Sequence, residues 1–126
     1  MSAADEGHCD VVIDLLSLGA DINAQNKDGD SALIKAANWG KTDVVVELVK
    51  GGANLDLQNE DGYSALMKAA WLGETDVIVE FVNGGANLDL QNKVGDSALM
   101  EAAWRGKTDV VVELVKGGAN LDLQNK

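Results

Sequence analysis

The chain has no proline, one cysteine, one histidine, one phenylalanine and one tyrosine, and its 10 bases are outnumbered by 21 acids. A lone cysteine, Cys9, cannot close an internal disulfide, so the fold rests on packing, as in proteins of reducing compartments. His8 is its immediate neighbour in sequence. General acid–base and nucleophilic catalysis draw on several convergent groups, and one Cys with one His does not complete a four-ligand zinc site. These scarcities predict no enzyme, no metal and no cofactor. The net charge of −11 argues against a nucleic-acid partner, because phosphate binding relies on clustered Lys and Arg. The longest apolar runs, such as Val44-Val45-Val46 and Ala69-Ala70-Trp71-Leu72-Gly73, fall far short of the roughly 20 residues a membrane helix needs. The opening Met1-Ser2-Ala3-Ala4-Asp5-Glu6 has neither the basic segment nor the apolar stretch of a secretory leader. No membrane partner and a cytoplasmic or nuclear location are therefore expected.

What is present is a repeat. Units of 33 residues run from Asp28 to Glu60, Asp61 to Lys93 and Val94 to Lys126, and the first and third differ at six positions. Gly7-His8-Cys9-Asp10-Val11-Val12 aligns with Gly40-Lys41-Thr42-Asp43-Val44-Val45, so residues 1–27 read as a partial, divergent unit. The whole of 1–126 is then one domain. A hydrophobic fraction of 46% is sufficient for its core.

Each unit carries two helix signals. Gly29, Gly62 and Gly95 mark turns, and Ser31, Ser64 and Ser97 are suited to cap a short helix built on Ala-Leu-x-x-Ala-Ala. That helix ends near Gly40, Gly73 and Gly106. A second helix is expected from Thr42, Thr75 and Thr108, read as N-caps with an aspartate beside each in the first turn. It stops before Gly51, Gly84 and Gly117. The run Val44-Val45-Val46-Glu47-Leu48-Val49 has strong β propensity. Its apolar residues nevertheless recur at i, i+1, i+4 and i+5, one face of a helix, and helix is the expectation.

The motif turn-Gly-x-Ser-x-Leu-x-x-Ala-Ala-x-x-Gly-x-x-Asp-Val-Val-x-x-Leu-Val-x-x-Gly-Ala-Asn, repeated in register, resembles the ankyrin repeat across essentially the whole chain. Gly19-Ala20-Asp21-Ile22-Asn23-Ala24 matches the segment that follows the second helix in that family. The chain departs from it in reading Ser-Ala-Leu-Ile or Ser-Ala-Leu-Met where the family has Thr-Pro-Leu-His. The resemblance implies an all-α ankyrin-repeat solenoid of stacked helix-turn-helix units with projecting β-hairpin-like turns. It also implies protein or peptide partners on a concave face lined by the first helices and on the turn tips, a structural role for His8, and hydroxylation of Asn23. Asp56, Asp89 and Asp122 stand at the Asn23 position in the other units.

Differences between near-identical units locate candidate binding residues. Asp28 becomes Val94, Ile34 becomes Met100, Lys35 becomes Glu101, Asn38 becomes Trp104, Trp39 becomes Arg105 and Glu60 becomes Lys126, while the second helix does not change. Trp39, Trp71 and Trp104 all fall near the end of the first helix, and Tyr63 lies at a turn. Exposed Trp and Tyr are favoured anchors, since they bring large contact area at low entropic cost. The same side chains are also suited to sealing the junctions between units. The expected partner-binding strip is Asp28, Asp30, Asn38, Trp39, Tyr63, Trp71, Leu72, Asp96, Trp104 and Arg105.

The charge is graded along the array: −4 over residues 1–27, −3 in each of the next two units and −1 in the last. A basic stretch of a partner is thus expected to dock toward the N-terminal end. Asn26-Lys27-Asp28-Gly29-Asp30 looks like a calcium loop only superficially, because Ala24 and Lys35 fall where its first and last ligands belong. The uniformity of the units also fits a spacer, or an excised or engineered piece of a longer array, with no ligand of its own. Uncovered end faces would then favour end-to-end self-association.

Overall fold

Each Ser-Ala-Leu segment starts a helix in the computed structural model, which describes residues 21–123. The Oγ of Ser31, Ser64 and Ser97 accepts the backbone N–H of Ile34, Met67 and Met100 at 3.2, 3.3 and 3.4 Å. These serines are buried, so the capping bond satisfies a donor that water does not reach. The capped helices are α1 (Ala32–Asn38), α3 (Ala65–Leu72) and α5 (Ala98–Trp104). Each is followed by a longer partner: α2 (Thr42–Lys50), α4 (Thr75–Asn83) and α6 (Thr108–Lys116).

The second helices do not begin as expected. Thr42, Thr75 and Thr108 are the first helical residues, and Lys41, Glu74 and Lys107 occupy the cap position without a side-chain capping bond. The cause lies in how the first helix closes. Gly40, at φ +68°, donates its N–H to Ala37, and Lys41 donates to Ala36 at 2.9 Å. This is the double bond of a Schellman closure. It holds residue 41 against the end of α1 and leaves room for only a minimal link before α2.

Two rows of helices result. The row α1, α3, α5 packs in succession, as does the row α2, α4, α6, and the two helices of each unit pack on one another. Val44, Val45 and Leu48, then Val77, Ile78 and Phe81, then Val110 and Leu114 are buried, the face that the helical spacing predicted. Ala36, Ala37, Ala69, Ala70 and Ala102 are fully buried between first helices, where small side chains permit close approach.

The turns are stitched from unit to unit. Asn26 Oδ1 accepts the N–H groups of Asp28 and Asp30, and isolated antiparallel bridges join Gln25 to Ser31 and Gln58 to Ser64. Across the junctions, the Glu60 N–H donates to Asp28 O at 3.0 Å and the Lys93 N–H to Asp61 O at 3.1 Å. On the far side of the helices, Asn54 N–H donates to Asn23 Oδ1, Asn87 N–H to Asp56 Oδ1 and Asn120 N–H to Asp89 Oδ1, all within 2.7–2.8 Å. Asn23 is thus held by the neighbouring unit through its carboxamide. The partial unit up to residue 20, including His8 and Cys9, lies outside the described residues, as does Lys126.

Candidate functional site

The exposed aromatic residues all come from the first-helix row. Trp39 is the C-cap of α1, Trp71 lies in the last turn of α3 and Trp104 ends α5. Their exposures of 57%, 41% and 80% separate them into two kinds. Trp39 and Trp104 project into solvent. Trp71 is partly covered because the Arg105 guanidinium of the next unit lies 4.3 Å from its ring centre, a cation–π contact across the junction. Trp71 therefore has a sealing role as well as an exposed edge. Leu72, beside it, is 39% exposed.

One pocket, of about 240 Å³, is lined by Asn38, Tyr63, Lys68 and Trp71. It brings together three of the ten residues expected in the strip and adds Lys68, whose ammonium sits 4.4 Å from the centre of the Tyr63 ring. Two other clefts, one over Gly40–Val44 and one over Gly73, Thr75 and Gly106–Val110, recur at equivalent hairpins and belong to the repeat itself.

The three acids of the strip stand in different surroundings. Asp30 accepts Asn59 Nδ2 at 2.9 Å and lies 4.0 Å from Lys35 Nζ. Asp28 is exposed at a turn tip. Asp96 is half-buried, with its Oδ1 enclosed and without a hydrogen bond.

Tyr63 is not the free turn-tip anchor that its sequence position predicts. It is half-buried, and its phenol lies within the influence of Glu101 and Asn92. Glu101 is only 4% exposed, and Asn92 Nδ2 donates to its Oε1 at 3.3 Å. Burial, then the charge of Asp96, raises the pKa of Glu101, while Tyr63, Lys68 and Asn92 act in the opposite sense. The Tyr63 phenol is raised too, first by burial and then by Glu101. The Lys35 to Glu101 change between units thus alters a junction as well as a surface. Sequence reasoning noted that change but left Lys68 and Glu101 out of the strip. The available signal was a charged residue, Lys35, Lys68 or Glu101, recurring between the Leu and Ala-Ala of an otherwise apolar helix.

Among the described residues no helix is long and apolar enough to cross a membrane, and no group of three or more His, Cys, Asp or Glu is arranged to hold a metal ion. A search of curated proteins finds no match. Family models do match: ankyrin repeats in three copies over residues 1–92, and a further ankyrin repeat over residues 94–126. With the 33-residue period, the paired helices and the stitched turns, these matches account for essentially the whole sequence, and the chain belongs to the ankyrin-repeat family.

Proposed function

We propose that this chain binds a protein or peptide across the face of the first-helix row, with the turn tips beside it. Ankyrin repeats are protein–protein interaction modules and a non-enzymatic fold. The observation that carries the choice of face is the exposure of Trp39, Trp71 and Trp104 there, because large aromatic side chains left in water offer the most binding area per ordered residue. The rest of the expected strip, Asp28, Asp30, Asn38, Tyr63, Leu72, Asp96 and Arg105, supplies polar and charged groups around them. The exposed acids of the tips, Asp28, Glu60 and Asp61, favour basic residues in the flanks of the partner. A pull-down with the wild-type chain and with Trp39→Ala, Trp71→Ala and Trp104→Ala combined is the test. Partners on this face are lost from the triple variant; partners retained equally by both would refute the reading.

A second reading, association with another repeat unit, is favoured by one observation. Val49 and Leu55 lie against Gly84, and Val82 and Leu88 lie against Gly117. Val115 and Leu121, at the same repeat positions, are exposed at 45% and 66%. An exposed apolar surface of this kind favours packing against the apolar face of a second copy of the chain. Sedimentation at rising concentration would then show oligomers that Leu121→Lys abolishes; a monodisperse monomer throughout would refute self-association.

A further inference from the structure

We propose that the pocket between α1 and α3 is a carboxylate-binding anchor site, taking an aspartate or glutamate side chain of the protein or peptide partner. The proposal rests on the reading that the first-helix face is the binding face, and it names the chemistry of the group that enters.

The lining consists of two aromatic rings, one carboxamide and one cation: Tyr63, Trp71, Asn38 and Lys68. Lys68 is the only charged residue among them. Its ammonium is held against the Tyr63 ring, which orders it without neutralising it, because a ring contributes a quadrupole and no net charge. An ammonium has three donors, and a ring face takes up only one side of it. Glu101, which feels the charge of Lys68, is buried, accepts from Asn92 and forms no ion pair with the ammonium, so it does not act as an exposed counter-ion. Arg105, on Trp71, adds a second cation nearby.

An entering carboxylate finds a pre-ordered ammonium and the Asn38 carboxamide, while the stem of the side chain lies between rings. Such charge-assisted hydrogen bonds are the strong ones. An entering lysine or arginine meets Lys68 as a like charge and finds both aromatic rings already carrying cations. The overall acidity of the chain therefore misleads locally. Basic residues suit the turn tips, and an acid suits the pocket, so the fitting segment has mixed charge.

The site is particular to one junction. At the equivalent positions the preceding unit has Asp30, Lys35 and Asn38, with no aromatic, and the following unit has Asp96, Glu101 and Trp104, with an acid in place of the cation. That alternation also provides the test, because Lys68→Glu installs a residue the scaffold already accommodates at Glu101.

A random peptide library displayed on phage is selected separately on the wild-type chain and on Lys68→Glu, with unchanged circular dichroism confirming that the variant is folded. The wild-type pool is expected to converge on Asp or Glu at one position and to bind Lys68→Glu at least about tenfold more weakly. The pool selected on Lys68→Glu is expected to carry Lys or Arg there instead. Each pool is then bound to the triple Trp→Ala chain. Peptides lost on that chain but lacking a fixed acid, or carrying a base in the wild-type pool, overturn the carboxylate assignment and leave the binding face standing. Peptides that bind the triple variant undiminished overturn the face itself, and the pocket with it.

Discussion

The guanidinium of Arg105 lies 4.3 Å from the ring centre of Trp71, so a residue that ends one unit's first helix is covered by a residue that ends the next. Exposed cation–π contacts contribute about 0.5–1 kcal/mol. Arg105→Ala and Trp71→Ala should each lower stability modestly, and in a double-mutant cycle by urea unfolding they should couple by about that amount. Additive effects would show that the contact carries no energy.

Gly62 and Gly85 separate backbone strain from crowding. Both have positive φ, +83° and +82°. A Cβ on Gly62 would lie 2.8 Å from Asn92 Cα and from Lys93 N, whereas one on Gly85 would meet nothing within 4 Å. Gly85→Ala should therefore cost about 1–2 kcal/mol, the penalty for left-handed backbone. Gly62→Ala should cost about 1–3 kcal/mol more, because the displaced atoms are backbone of the following turn. Thermal melts of the two variants would reveal the difference, and equal costs would show that the turns yield freely.

Phe81 stands where the other units have Leu48 and Leu114, and all three are fully buried. A leucine of the right register thus already packs in this environment twice. Phe81→Leu should cost less than about 1.5 kcal/mol, while Phe81→Ala, which leaves a cavity, should cost about 3–5 kcal/mol. Denaturant midpoints at constant slope would measure both.

Glu101 gives the protein a pH-dependent stability of defined sign. Burial and Asp96 raise its pKa in the folded chain, with Lys68, Tyr63 and Asn92 opposing. Between the ordinary glutamate value and the raised one, the folded state holds a proton that the unfolded state has lost, so stability falls as pH rises across that window and is level above it. Glu101→Gln keeps an acceptor for Asn92 Nδ2 without the charge. Urea midpoints taken from about pH 4 to 8 should show the variant gaining on the wild type as pH rises through the window. A difference that does not vary with pH would mean that the carboxylate is not disfavoured by its surroundings.

The helices were legible because the sequence states them several times over. The Ser caps, the Ala-Ala pairs and the apolar i, i+1, i+4 spacing recur in register, and a β-prone run such as Val44-Val45-Val46 is overruled by its period. Boundaries were less legible. The short link between α1 and α2 made Lys41 rather than Thr42 the cap residue, because the closure at Gly40 depends on bonds back to Ala36 and Ala37. The candidate site was legible in its aromatics and obscure in its polar partners. Whether Tyr63 faces solvent or Glu101 depends on how adjacent units are spaced, and a repeat period does not reveal that spacing. Trp71 and Arg105 occupy different positions of the repeat in different units; only the stack shows that they meet.

The side-chain bonds from Asn23 to Asn54, Asp56 to Asn87 and Asp89 to Asn120 place one tether at each successive junction. Pulled apart at its two ends, such a stack carries the same force through every tether in turn. The weakest junction yields first, and each unit released exposes the next, so that a nearest-neighbour solenoid lengthens in steps of one unit. The bonds that hold successive units in register thereby also set the step in which the array would lengthen.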